Sequence, residues 1–187
     1  MKKIMIIENH IESEALLDYF FIEGTIDLDD KYFIEKIKEG IKQEDNNNFK
    51  TYVRDQMTSY QFFNQDKKFL DLCRQFIKYI DDRYNLGDFN LKDSWGYRIG
   101  PGNKTDLHTH LYGIWSGALY LHDHSQLLEF PSINKKIRPS KGKFVLFSSF
   151  LKHKAEKNES NEIKWGMSFN FFPGHGNKVI VKKKEDA

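Results

Sequence analysis

Three histidines carry the chemistry this sequence can do. His108 and His110 stand two residues apart in H-T-H, and His153 follows 43 residues on. In an extended segment residues i and i+2 project from one face, so His108 and His110 can present two imidazoles to one point. A third imidazole from another strand closes a facial set and leaves positions open. That geometry suits a redox metal that must also bind substrate or dioxygen, although imidazole accommodates Fe, Zn, Cu and Ni alike. An H-x-H pair is weak by itself, because a lone histidine is usually a surface or hydrogen-bonded core residue. A second pair, His122 and His124 around Asp123, reads as loop at the end of a strand, and His175 in PGHG as a turn residue. Ser148 and Ser149 have no ordered acid partner for a hydrolase. Ser116-Gly117 lacks the full G-x-S-x-G, and G-x-G at 174–176 lacks the third glycine and helix of a dinucleotide site.

These residues need elements to hold them. The first half reads as helical. His10 to Phe20 places Ile11, Ala15, Leu16 and Tyr19 on one stripe, and Lys31 to Lys42 repeats Phe33, Ile34, Ile37 and Ile41 behind a cap at Asp29 or Asp30. EDNNNFK reads as a loop. Lys67 to Tyr84 is the strongest helix, with Phe69, Leu72, Cys73, Phe76 and Ile80 as its buried face, which makes Cys73 a core residue. From Leu91 the period changes. SWGYRI, IWSGALYLH, QLLEFPS, KFVLFSSF, IKWGMSFNFF and KVIVKKK are short aromatic or β-branched runs between Gly, Pro, Asn and Lys. Such strands predict a sandwich, barrel or jelly roll. The expected class is α+β, a jelly-roll core with a helical N-terminal portion.

The chain has 187 residues, 39% hydrophobic and 30% charged, which predicts one soluble domain with 1–90 as helical support and 91–182 as the core. No run of 18 apolar residues predicts a membrane span, and Ile4 to Ile7 is too short for a signal-peptide core. One cysteine excludes a disulfide framework and fits a reducing cytoplasm. The net charge of +2 hides an asymmetry. Residues 1–90 hold 13 basic against 18 acidic side chains; residues 91–187 hold 16 against 9, with six of the seven histidines and all three tryptophans. The second half is therefore the site-bearing one. Arg98, Arg138, Lys135 and Lys136 read as a solvated face, Trp95 and Trp115 as core or pocket wall, and VKKKEDA as a solvated end. A nucleic-acid partner is not expected; a homodimer stays open.

The order HTHLYGIWSGALYL, GKFVLFSSFLKH, KWGMSFNF resembles the iron(II)/2-oxoglutarate-dependent oxygenases, in particular their small bacterial and phage members and the prolyl-hydroxylase-like branch. The resemblance spans about residues 93–172. It implies a double-stranded β-helix (jelly roll), Fe(II) and 2-oxoglutarate as cofactors, ascorbate as reductant, and hydroxylation of a small-molecule or peptidyl substrate with release of succinate and CO2. His108 matches the first metal ligand and His153 the distal one. His110 stands where most members carry the carboxylate of H-x-D; Asp106, two residues before His108, is the alternative carboxylate. Lys164 matches the cation that grips the far carboxylate of 2-oxoglutarate. Tyr120, Ser168 and Asn170 fall where cofactor or active-site contacts are made. Three histidines are neutral where His-Asp-His carries −1, and Lys164 offers a point charge where an arginine offers a fork. Two rivals remain. One is a three-histidine cupin-type metalloenzyme that does not use 2-oxoglutarate, the other a non-catalytic jelly-roll binding module.

Overall fold

A computed structural model describes residues 5–8, 19–43, 51–84, 89–110 and 113–173. In chain order the elements are β1 (Met5–Glu8), β2 (Phe21–Thr25), α1 (Asp30–Gln43), β3 (Gln56–Met57), α2 (Lys67–Tyr84), β4 (Phe89–Ile99) and β5 (Thr105–His108). They continue with β6 (Trp115–Tyr120), β7 (Leu128–Phe130), β8 (Lys135–Ile137), β9 (Lys143–Ser148), β10 (His153–Ala155) and β11 (Lys164–Pro173). The strands form two antiparallel sheets, one of seven strands in the order β1-β2-β9-β6-β11-β4-β3 and one of four in the order β5-β10-β7-β8. This is the two-sheet jelly roll that the sequence predicts.

Alternation along the large sheet builds two cores. One face presents Leu119, Phe144, Leu146, Met167, Phe169 and Phe171 to Phe33, Ile37 and Ile41 of α1 and Phe69, Leu72, Cys73 and Phe76 of α2. The other presents Phe21, Ala118, Tyr120, Val145 and Phe147 to Leu128, Phe130 and Ile137 of the small sheet. The helices start where short acidic side chains satisfy free amides. Asp29 Oδ1 accepts from Tyr32 N at 3.1 Å, and Asp66 Oδ1 from Phe69 N at 2.9 Å. Gly117 is needed on the helix-facing side of β6, because a Cβ there would stand 2.2 Å from the Phe169 ring.

Beside α1 and α2, the first ninety residues also supply β1, β2 and β3, and β2 pairs with β9 along its whole length. One sequence expectation needs correction: the helix expected over His10 to Phe20 does not reach its end, because Phe20 exchanges hydrogen bonds with Ser148, N–H to Oγ at 2.8 Å and carbonyl to N–H at 2.9 Å. β2 is only five residues long and passes from Phe21 and Ile22 to Glu23, Gly24 and Thr25, so FFIEGT carries no clean period. Residues 10–18, the EDNNNFK loop, the KVIVKKK run, the VKKKEDA end and the side chain of Ile80 lie outside the described residues.

Candidate metal centre

The cavity between the two sheets is lined by His108, His110 and His153 on one side and by Trp95, Tyr97, Ala118, Tyr120, Lys164 and Ser168 on the other. His153 opens β10 and lies directly across from His108 at the end of β5. Their ring centroids are 4.2 Å apart, and that of His110 is 5.0 Å from His108 and 5.1 Å from His153. One nitrogen from each ring falls within 4.8 Å of the other two. The strand argument for H-T-H holds only in part. β5 stops at His108, and His110 reaches the site from the following turn. Its backbone N–H donates to the Ser149 carbonyl at 2.9 Å, and its own carbonyl accepts from Gly113 N at 2.9 Å.

Backbone carbonyls fix two of the rings. His108 Nδ1–H donates to the Asp106 carbonyl at 2.7 Å and His153 Nδ1–H to the Leu151 carbonyl at 2.9 Å. A carbonyl only accepts, so the proton sits on Nδ1 and the Nε2 lone pair faces the cavity. Burial depresses the basicity of all three. It lowers His108, takes His110 down to about 3 with help from His108, and pushes His153 well below the usual histidine value. Three neutral imidazoles aimed at one point are a fitting donor set for a divalent transition metal. Tyr52 lies flat against His108, with centroids 4.5 Å apart.

Asp106 does not join them. Its carboxylate accepts from Arg54 Nε at 2.5 Å and Lys104 Nζ at 3.0 Å, and these two cations, Lys104 first, hold it below the usual carboxylate range. Its carbonyl serves the site by orienting His108. The third side chain of the cluster is thus that of His110, with the Asp106 carboxylate outside it.

Lys164 opens β11 and is 2% exposed. Burial lowers its ammonium to about 7, and no carboxylate is set against it among the described residues. The turn after β6 pins it. His122 Nε2 accepts from Trp165 N–H at 3.0 Å, and His124 Nδ1 accepts from Gln126 N–H at 3.0 Å while its Nε2–H faces the Glu162 carbonyl at 3.3 Å. The second H-x-H is thus committed to hydrogen bonds that tie the turn after β6 to the start of β11 and the segment before it. Ser168 and Tyr120 line the cavity beside Lys164; Asn170 lies one register step beyond, where its Oδ1 accepts from Ser116 Oγ at 2.8 Å. Tyr97 was not singled out in the sequence. It faces the cavity opposite Gly166, where a Cβ would lie 2.4 Å from its hydroxyl, and burial raises it as it raises Tyr120. An aromatic two residues after Trp95 on one strand face is the signal that could have found it.

Neither a family model nor a curated protein matches the sequence. Solved structures do match. A Pseudomonas putida prolyl-4-hydroxylase is 17% identical with TM-score 0.61, over 82% of this chain and 93% of that one. The viral collagen prolyl hydroxylase of Paramecium Bursaria Chlorella virus-1, a 2-oxoglutarate complex, is 16% identical with TM-score 0.60, over 82% and 94%. The chain has the double-stranded β-helix fold of the 2-oxoglutarate and iron(II) oxygenases. HygX from Streptomyces hygroscopicus, with nickel and 2-oxoglutarate bound, has the same oxygenase fold at 12% identity, TM-score 0.59 and 82% coverage of both chains. In this oxygenase fold β5 and β10 supply two of the imidazoles and β11 supplies Lys164.

Proposed function

We propose that the protein is an iron(II)- and 2-oxoglutarate-dependent dioxygenase that hydroxylates a small-molecule or peptidyl substrate. The observation that carries this reading is the buried Lys164, with no carboxylate set against it among the described residues, in the same cavity as three converging neutral imidazoles. A buried ammonium without a counter-ion is costly and calls for an anionic occupant. His108, His110 and His153 would hold the metal. When bound, Fe(II) and 2-oxoglutarate supply the oxidation, one oxygen atom entering a substrate C–H bond and the other the succinate released with CO2.

The protein's own part is positioning and charge. Lys164 compensates the distal carboxylate of 2-oxoglutarate, with the Tyr97 and Tyr120 rings one register step nearer the histidines. Ser168 offers a hydroxyl on the same face. Phe147, Leu128 and Ala118 keep water from the centre. Hydroxylation is our choice among the reactions of the fold, since its solved members include a carbocyclase and an epimerase as well as hydroxylases. The neutral ligand set is also that of a three-histidine cupin-type enzyme. Lys164 favours the oxygenase, because a reaction without 2-oxoglutarate leaves that ammonium no task. The test is succinate formation from 2-oxoglutarate with Fe(II), ascorbate and air. We expect succinate from the wild type and none from His153→Ala; metal binding with no succinate under any substrate pool would support the cupin-type reading.

A further inference from the structure

The large sheet is ordered in register steps along the cavity. Lys164 pairs with Ile99, Gly166 with Tyr97 and Tyr120, Ser168 with Trp95 and Ala118, and Asn170 with Asp93 and Ser116. The sequence of steps is therefore a depth scale. Lys164 is at one end, and Trp95, whose ring is 6.1 Å from His110, stands at the level of the metal centre. Asp93 lies one step past the centre, on the side away from Lys164. Pairing is regular from Lys164 to Asn170 and shifts only after it, so Asp93 shares the face of Trp95 and Tyr97.

Asp93 is half-buried, and burial raises its carboxyl above the ordinary value. Among the described residues only two groups offset this: the Asn170 side chain, and the exposed Lys92, which as the neighbouring residue on the strand points to the opposite face. Asn170 uses its Oδ1 on Ser116, which leaves its amide hydrogens for the carboxylate. Tyr60, 38% exposed, stands edge-on to Trp95 at 5.1 Å, and its carbonyl accepts from Ser94 N–H, the residue after Asp93, at 2.8 Å. A carboxylate two residues from Trp95 on one strand face, with Tyr60 packed on that Trp95, is the composition of a site for an organic cation.

We propose that this outer step is a cation-binding subsite, in which Asp93, braced by Asn170 and flanked on its strand face by Trp95 with Tyr60 packed on it, holds an ammonium or guanidinium group of the substrate. The proposal rests on the oxygenase reading and narrows it to cationic substrates. The subsite lies about 7 Å, one register step, from the level of the centre. The cationic group is then recognised while a carbon several bonds away is presented to the metal.

Isothermal titration calorimetry on the full chain loaded with Mn(II) and 2-oxoglutarate tests this. The probes are cadaverine, glucosamine and a lysine-containing tetrapeptide, each against its N-acetylated form; the first two report a free small amine, the third a peptidyl one. We expect at least one amine to bind about tenfold or more tightly than its acetylated form, as for a charge-assisted hydrogen bond. Asp93→Asn should erase that preference, and Asp93→Glu should keep part of it, with Mn(II) and 2-oxoglutarate affinities within about twofold of wild type. Equal binding of amine and amide, an unchanged preference in Asp93→Asn, loss of metal in that variant, or no binding by any amine would each overturn it. Failure of the wild type to bind 2-oxoglutarate would instead contradict the oxygenase reading. The amine preference would then be read on the Mn(II) form alone.

Discussion

Tyr52 and His108 lie ring over ring, 4.5 Å between centroids and 11° from parallel, although Tyr52 is 51% exposed. The stack joins the segment before β3 to the metal centre. Val53 bridges to Thr105, and Asp106 N–H donates to the Tyr52 carbonyl at 2.9 Å. Backbone pairing holds the segment, so the ring acts on His108 and not on the fold. Tyr52→Ala should weaken Mn(II) binding about three- to tenfold, the worth of one aromatic contact, with little change in Tm. Mn(II) titration followed by electron paramagnetic resonance checks the first and thermal unfolding the second.

His108→Ala and His153→Ala should each abolish metal binding at micromolar protein, because two neutral imidazoles make a poor site for a divalent ion. Asp106→Ala should leave Mn(II) affinity within about threefold, since only the carbonyl of that residue serves the centre and a backbone carbonyl survives the substitution. Equilibrium dialysis with metal analysis compares the three variants.

Lys164 links stability to pH. Its folded value of about 7 lies below the ordinary lysine value of 10.5, so between those limits the unfolded chain holds a proton that the folded chain lacks. Stability of the metal-free protein should therefore rise with pH across that window, by up to about 1.4 kcal/mol per unit, and carry the full penalty below pH 7. Lys164→Met should raise Tm at pH 6 and flatten the dependence, while 2-oxoglutarate binding is greatly weakened. In the wild type 2-oxoglutarate recharges the amine, so its affinity should fall up to tenfold per unit above pH 7. Calorimetry in two buffers of different ionisation enthalpy should register uptake of nearly one proton at pH 8.5.

Cys73 packs wholly buried against the large sheet, and burial pushes its thiol up. It should react with a thiol reagent only at the rate of unfolding. Cys73→Ser should cost about 1–3 kcal/mol, since a hydroxyl there meets apolar neighbours. Denaturant unfolding measures the cost, and stopped assays at rising urea show whether labelling follows opening.

Much of this was legible in the sequence. α2 runs from Lys67 to Tyr84 as its period predicts, and α1 differs from its expected span by one residue at each end. The three histidines come together as their spacing allows. What was not legible depends on partners far along the chain. β5 is a four-residue strand with no run of its own, and its position follows from pairing with β10. The sequence offers Asp106 as an alternative to His110; that its carboxylate is taken up by Arg54 and Lys104 depends in part on a segment 52 residues away. Tyr97 and Asp93 gain meaning only when register sets them beside β11.

The central claim is that one cavity binds a metal and 2-oxoglutarate together. It is tested most directly by titrating 2-oxoglutarate into the Fe(II) protein without oxygen and following visible absorption. A weak charge-transfer band should grow and saturate at one equivalent in the wild type. It should be absent in His153→Ala and need far more 2-oxoglutarate in Lys164→Met. A wild-type protein that holds Fe(II) and gives no band at any 2-oxoglutarate concentration would contradict the account.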